Sequence, residues 1–248
     1  MPTGNTLSSQ IMCVNHLFPL AHDRECVLSV VNGIWGCFTD VLPVMCDKNP
    51  QYISFEVVSD NDNLNEGCFT RGSKCTGIDA VILAKHQSGK IILILIEWKY
   101  TEADDTDKST ERLDGKEKGQ ERQRRYNGLI ESSAQLKSLP SYQGSVYYQE
   151  PFYQLMRQTL WAEQMVAHKQ MESIKADGYL HLNVIPYGNR ALLGKKYKVS
   201  DANMEATWKG MLEDSSKFRI ISPEKLYKPI KYNPHFSSLV EYLKQRYW

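Results

Sequence analysis

Asp79, Glu97 and Lys99 are the residues whose types and placement suggest chemistry: two carboxylates and one ammonium at the end of a hairpin. Adjacent carboxylates repel and raise each other's pKa unless a cation sits between them. A hard divalent ion resolves that conflict. Mg²⁺, with Mn²⁺ as its substitute, takes one or two protein carboxylates and completes its shell with water and substrate phosphate. A neighbouring lysine can orient or activate a water, or offset charge building on a phosphoryl group.

The elements that must position these groups are two apolar runs, Ile78 to Ala84 and Ile91 to Ile96, flanking Gln87-Ser88-Gly89. Gly89 can take the left-handed position that closes a three-residue hairpin loop, so the pattern predicts an antiparallel pair. A turn centred on Ser88 sets Asp79 opposite Glu97, each nine residues from the centre. Opposed residues project to one face with Cβ atoms roughly 5 Å apart. Lys99 shares that face because strand side chains alternate. The run Ile91 to Ile96 is apolar on both faces, which predicts a central strand covered on both sides.

Gly77-Ile-Asp79 on one strand, followed by Glu97-Trp-Lys99 at the end of the next, resembles the PD-(D/E)xK restriction-endonuclease-like nucleases. The string Ile96-Glu-Trp-Lys-Tyr-Thr-Glu102 is similar to a bacterial branch of that superfamily. No proline precedes Asp79, a departure from the motif's name. The resemblance to the core order (helix, three antiparallel strands, helix, strand) spans roughly residues 7 to 187, and only the hairpin motif is sharp. It implies an α/β domain of restriction-endonuclease-like fold, a mixed central sheet with helices on both faces. It also implies a Mg²⁺-dependent deoxyribonuclease, an endonuclease by expectation, with Asp79 and Glu97 on the metal and Lys99 at the attacking water. A homodimer would suit double-strand cutting.

Around this core, Gln51 to Val58 reads as a strand, and Glu56 on it is the candidate third carboxylate for the metal, weighed against an exposed strand glutamate. Arg71 and Lys74 lie in the polar loop before Asp79 and are candidates for a phosphate backbone. After Lys99 comes an acidic stretch (Glu102, Asp104, Asp105, Asp107), then a basic one (Lys116, Lys118, Arg122, Arg124, Arg125) ending at Tyr126. Residues 101–150 therefore read as an insertion, helical from about Lys116 to Ser133. Arg122, Arg124, Arg125 and Tyr126 suit phosphate contact with base or sugar packing. Glu117 and Glu121 among them equally suit a salt-bridged solvated helix. Pro151 opens a helix predicted to reach Ile174, with Phe152, Leu155, Thr159, Ala162 and Val166 on one stripe. By the resemblance, Gln154 and Arg157 on it are substrate candidates, while Trp161 reads as core.

Tyr179 to Tyr187 reads as the next strand, with Gly178 ending the helix before it. Residues 190–248 read as a C-terminal appendage with a short strand at Phe218 to Ile221 and a helix from about Pro234 to Arg246. Between 190 and 232, ten Lys/Arg face five Asp/Glu, with Tyr197, Trp208, Tyr227 and Tyr232 interleaved, a second candidate nucleic-acid face. At the other end of the chain, helices are predicted over 6–20 and from about Asp23 to Ile34.

The 248 residues suffice for one domain, and a net charge of +1 means any basic surface is local. No segment approaches 18 uninterrupted apolar residues, and the start of the sequence lacks a charged region followed by an apolar one, so a cytoplasmic location without membrane insertion is expected. Six cysteines without a CxxC pair read as reduced thiols in the core. Cys13, His16, His22 and Cys26 form a conceivable zinc set, but the spacing departs from zinc-finger loops and Cys13 and His16 fall in an apolar helical stripe. Two rivals to the nuclease remain: a nucleic-acid-binding module that keeps the fold without turnover, and a metal-dependent hydrolase of another phosphate substrate. No GxSxG or P-loop pattern supports nucleophilic or nucleotide-cradling chemistry.

Overall fold

The hairpin closes as its turn chemistry dictates. In the computed structural model, which describes residues 8–44, 49–67, 70, 75–102, 112–113 and 117–248, Gly89 has φ +86°. Its N–H donates to the His86 carbonyl at 2.8 Å, and the His86 N–H donates to the Lys90 carbonyl at 2.8 Å. Glycine adopts this left-handed backbone without the Cβ penalty. The flanking strands β3 (Ile78–His86) and β4 (Ile91–Trp98) pair antiparallel, Ala80 with Ile96 and Ala84 with Ile92. This is the register that a turn centred on Ser88 predicts.

Two more strands divide the outer edge of β3. β1 (Phe38–Leu42) pairs with its Leu83–His86 half and β2 (Ser54–Val57) with its Ile78–Val81 half. On the other side, β5 (Gly178–Val184) runs parallel to β4, and β6 (Phe218–Ile221) runs parallel to β5. The result is a mixed six-stranded sheet. The helices are α1 (Ser9–Leu17), α2 (Arg24–Ile34), α3 (Glu117–Ser132), α4 (Phe152–Ala167), α5 (Arg190–Leu193), α6 (Met204–Gly210), α7 (Pro223–Tyr227) and α8 (Ser237–Tyr247).

Alternation along β4 sorts the core into two layers. Leu93 and Leu95 pack with Leu155, Trp161 and Ile130 of α3 and α4. Ile94, Ile96 and Trp98 pack with Met12, Val27, Tyr227 and Leu243 of α1, α2, α7 and α8. Both faces of β4 are thus covered, which explains its unbroken apolar run. Residues 190–248 supply β6 at the sheet edge and α8, whose Val240 and Leu243 are buried in the second layer.

Several elements differ from the sequence expectation. β1 was not predicted. Gly178 opens β5 instead of ending a helix. α4 stops at Ala167 because the following segment turns to hold a loop: Glu172 accepts from the Asp60 N–H at 2.7 Å and from Asn63 Nδ2 at 2.7 Å. Tyr197, Trp208 and Tyr227, expected on a nucleic-acid face, are buried, whereas Tyr232 is 86% exposed. The acidic stretch at Asp104, Asp105 and Asp107, and the loop residues Arg71 and Lys74, lie outside the described residues.

No helix among the described residues is long and apolar enough to cross a membrane.

Candidate active site

Continuing the β3–β4 register one residue beyond Ala80 and Ile96 sets Asp79 opposite Glu97. Asp79 Oδ2 accepts the Trp98 backbone N–H at 2.8 Å. Glu97 has only 4% of its surface exposed. Two glutamines one turn apart on α4 clamp it: Gln154 Nε2 donates to Oε1 at 2.6 Å and Gln158 Nε2 donates to Oε2 at 2.5 Å. Gln154 also accepts from Lys99 Nζ through its carbonyl oxygen. Its amide is therefore oriented by chemistry at both ends, donor to the carboxylate and acceptor from the ammonium. Lys99 Nζ lies 3.6 Å from Glu97 Oε1. Gln154, Glu97 and Lys99 form one continuous polar chain on the α4 face of the sheet.

Burial pushes both carboxyls up. Asp79 is raised well above the ordinary range by desolvation first and by the Glu97 charge second, against the pull of the Trp98 N–H. Glu97 is raised by desolvation, partly offset by Lys99 and the two glutamines. These are the environments a cation would relieve. Asn183 is the register partner of Glu97 on β5 and fully buried, and neither of its amide atoms finds a hydrogen-bond partner among the described residues. Alternation places it on the same face as Glu97. A buried and a half-buried carboxylate with an adjacent unpartnered amide are an oxygen-rich donor set of the kind Mg²⁺ takes.

Glu56 does not complete a three-carboxylate set. It is exposed, its backbone is in the left-handed region at φ +51°, and it accepts from Gln10 Nε2 at 2.9 Å. Its charge still contributes, after Glu97, to raising Asp79. Among the described residues, no group of three or more His, Cys, Asp or Glu is placed to hold a metal. In the conceivable zinc set, both His16 nitrogens are engaged: Nδ1 donates to the Met12 carbonyl at 2.8 Å and Nε2 accepts from Trp248 Nε1 at 3.1 Å.

The family model described as Restriction Endonuclease associating with ARP matches residues 1–248. The chain belongs to this family. No curated protein and no solved structure matches it. The mixed sheet flanked by helices is accordingly an α/β restriction-endonuclease-like fold, as the hairpin motif implied.

Within this restriction-endonuclease-related fold, the remaining candidates separate. Gln154 stands at the carboxylates. Arg157, one turn further along α4, points instead into a second buried cluster, where its Nη2 lies 2.9 Å from Glu66 Oε1. Glu66 also accepts from Tyr126 Oη at 2.7 Å and from the Thr76 N–H at 2.5 Å. This ties the loop entering β3 to α3 and α4. Tyr126, expected to pack on a base or sugar, is 1% exposed and edge-on to Tyr153. Its apolar ring gains more in the core, and Glu66 satisfies its hydroxyl. Arg124 is exposed and pairs with Glu121, as does Arg125; the two hold the Glu121 carboxyl down to about 2. Arg122 Nη1 donates to the Arg112 carbonyl at 2.8 Å.

Sequence reasoning missed Gln158, Asn183 and Glu66 as site-building residues. The spacing of Gln158 from Gln154, i to i+4, carried the signal, since such residues share a helix face.

Proposed function

We propose that the chain is a Mg²⁺-dependent nuclease that hydrolyses phosphodiester bonds in DNA. The observation that supports this best is the convergence of Asp79, Glu97 and Lys99 at one strand end, in a chain of a restriction-endonuclease-related family. A divalent ion held by Asp79 and Glu97 would supply a nucleophilic water at neutral pH and Lewis-acid stabilisation of the phosphoryl oxygens. The chain's own residues do the rest. Trp98 N–H fixes the Asp79 carboxylate, and Gln154 and Gln158 hold the Glu97 carboxylate in one rotamer. Gln154 keeps the Lys99 ammonium beside Glu97, where it can orient a water or offset charge developing on the phosphate. Burial excludes bulk water around Glu97 and strengthens each of these interactions.

Incubation of the purified protein with supercoiled plasmid tests this reading. Nicking or linearisation with Mg²⁺ or Mn²⁺, none in EDTA, and loss of cutting in Lys99→Ala and Asp79→Asn are expected. An uncut plasmid under every divalent ion tried would overturn it.

A second reading draws on one feature: both Glu97 oxygens already accept glutamine N–H groups. If those bonds hold against a metal, the protein binds nucleic acid without cutting it. DNA retained in a mobility shift with no cleavage under Mg²⁺, Mn²⁺ or Co²⁺ would favour that module.

A further inference from the structure

On the face of α4 adjoining the one that meets Glu97, a cavity of about 710 Å³ opens over the Tyr153 ring. That volume lies in the roughly 300–1,000 Å³ range of small-ligand sites. Its walls carry Arg112, Lys118, Arg122, Arg125 and Arg157. Three of the guanidinium carbons stand around one ring, at 5.9 Å (Arg112), 5.7 Å (Arg122) and 5.4 Å (Arg157) from the Tyr153 centroid. Like charges gathered in a concavity repel unless anions answer them.

The described residues answer them only in part. Glu150 pairs with Arg112 at 2.7 Å, Glu121 with Arg125 at 2.8 Å, and Glu66, behind the wall, with Arg157 at 2.9 Å. Among the described residues, Lys118 and Arg122 have no carboxylate within ion-pair distance. Among the described residues, five cationic ones face three carboxylates in the lining (Glu117, Glu121, Glu150), an excess of two. The next layer of described residues leaves that excess unchanged, because it adds Glu66 on Arg157 and Arg124 on Glu121.

We infer that this cavity is a phosphate site, and that it takes a phosphate monoester. Guanidinium forks match phosphate oxygens two at a time. A monoester carries about −1.5 to −2 charges at pH 7, which answers an excess of two better than the single charge of a diester. Lys118, Arg122 and Arg125 recur at i, i+4 and i+7 on α3, so one helix face presents all three to the ligand. Arg157 and Tyr153 share α4 with Gln154, which joins the cavity to the carboxylate centre through one rigid element. For the source of the monoester, the inference rests on the nuclease reading: the end of a DNA strand would lie here while an interior bond lies at Asp79 and Glu97. A free nucleotide offers the same group.

The test measures binding in EDTA, so that it does not depend on cleavage. Fluorescently labelled duplexes ending in 5′-phosphate, 3′-phosphate or hydroxyl are titrated with the full chain, and a nucleoside monophosphate is used as competitor. At least tenfold tighter binding of one phosphorylated end over the hydroxyl end is expected. That preference should be lost in Arg122→Gln and Lys118→Gln, partly restored in Arg122→Lys, and kept in Lys244→Gln, which is exposed on α8 on the opposite face of the sheet. Tight binding of the monophosphate without discrimination among duplex ends would assign the monoester to a free nucleotide. Equal binding of all three duplex ends together with no nucleotide binding overturns the inference, as does an end preference that survives Arg122→Gln in a protein whose melting temperature is unchanged. A plasmid that stays uncut while the end preference is found sinks the nuclease reading alone.

Discussion

Gln158 donates to Glu97 across the interface between α4 and β4 at 2.5 Å, with both residues almost wholly buried. Removing one partner of such a pair leaves a buried acceptor to bear its desolvation. Gln158→Leu is expected to destabilise the fold by about 1–3 kcal/mol at pH 7. The loss should shrink below the ordinary carboxyl range, where Glu97 is protonated in both states. Urea denaturation at pH 7 and pH 3 measures it, and an equal loss at both pH values would refute the role given to this bond.

A divalent cation should change stability in a pH-dependent way. Asp79 and Glu97 are both raised above their ordinary values of 3.8 and 4.5. Their contribution to folding is therefore most favourable below those values and is lost as pH rises through the folded-state values. Mg²⁺ or Mn²⁺ bound by the ionised pair reverses that loss through linkage. The melting temperature should rise with added metal at pH 7.5, rise less as pH falls towards 4.5, and not respond in Asp79→Asn. A response that is the same in Asp79→Asn would place the ion elsewhere.

Lys99 offers a kinetic expectation. Removing one preorganised electrostatic group typically lowers kcat by about 10²–10³. Lys99→Ala should lose cleavage on that scale while keeping DNA binding, and Lys99→Arg should recover little, because a guanidinium does not reproduce a compact ammonium beside Gln154. Single-turnover cleavage alongside a mobility shift separates the two effects.

Glu66 and Arg157 form an ion pair, its carboxylate buried and its guanidinium half-buried at the cavity wall, whose separation should be costly. Glu66→Ala leaves the Arg157 guanidinium without its carboxylate; breaking a fully buried pair costs about 3–5 kcal/mol, and the loss here should fall below that because the guanidinium is 23% exposed. The double variant Glu66→Met with Arg157→Met should lose less than the two single losses combined. Strict additivity in a double-mutant cycle would show that the pair is not coupled.

What the sequence made legible follows from local physics. Gly89 and the two apolar runs determine the hairpin and, through it, the opposition of Asp79 and Glu97, because turn geometry fixes strand register. Trp161 and His16 lie in the core, as expected: His16 from the apolar stripe it falls in, Trp161 although it stands off the stripe of its helix. β1 escaped notice because Phe38–Leu42 is five residues long and interrupts its apolar positions with Thr39 and Asp40. The direction of Glu56 was not legible, since its positive φ turns the side chain out of strand alternation. Glu66 sits in a loop without periodicity, and its partners Tyr126 and Arg157 meet it only once α3 and α4 pack together. Which face of α4 meets the carboxylates depends likewise on how that helix crosses the sheet, so Gln158 was visible as a neighbour of Gln154 but not as a clamp.

The Gln87-Ser88-Gly89 turn and the carboxylates occupy opposite ends of the same two strands, roughly 25 Å apart at strand rise. A dye, a purification handle or a surface tether attached at Ser88 would sit at the end of the hairpin remote from Asp79 and Glu97. A rigid strand pair would carry its orientation to the chemistry, making this the natural attachment point for single-molecule work on the protein.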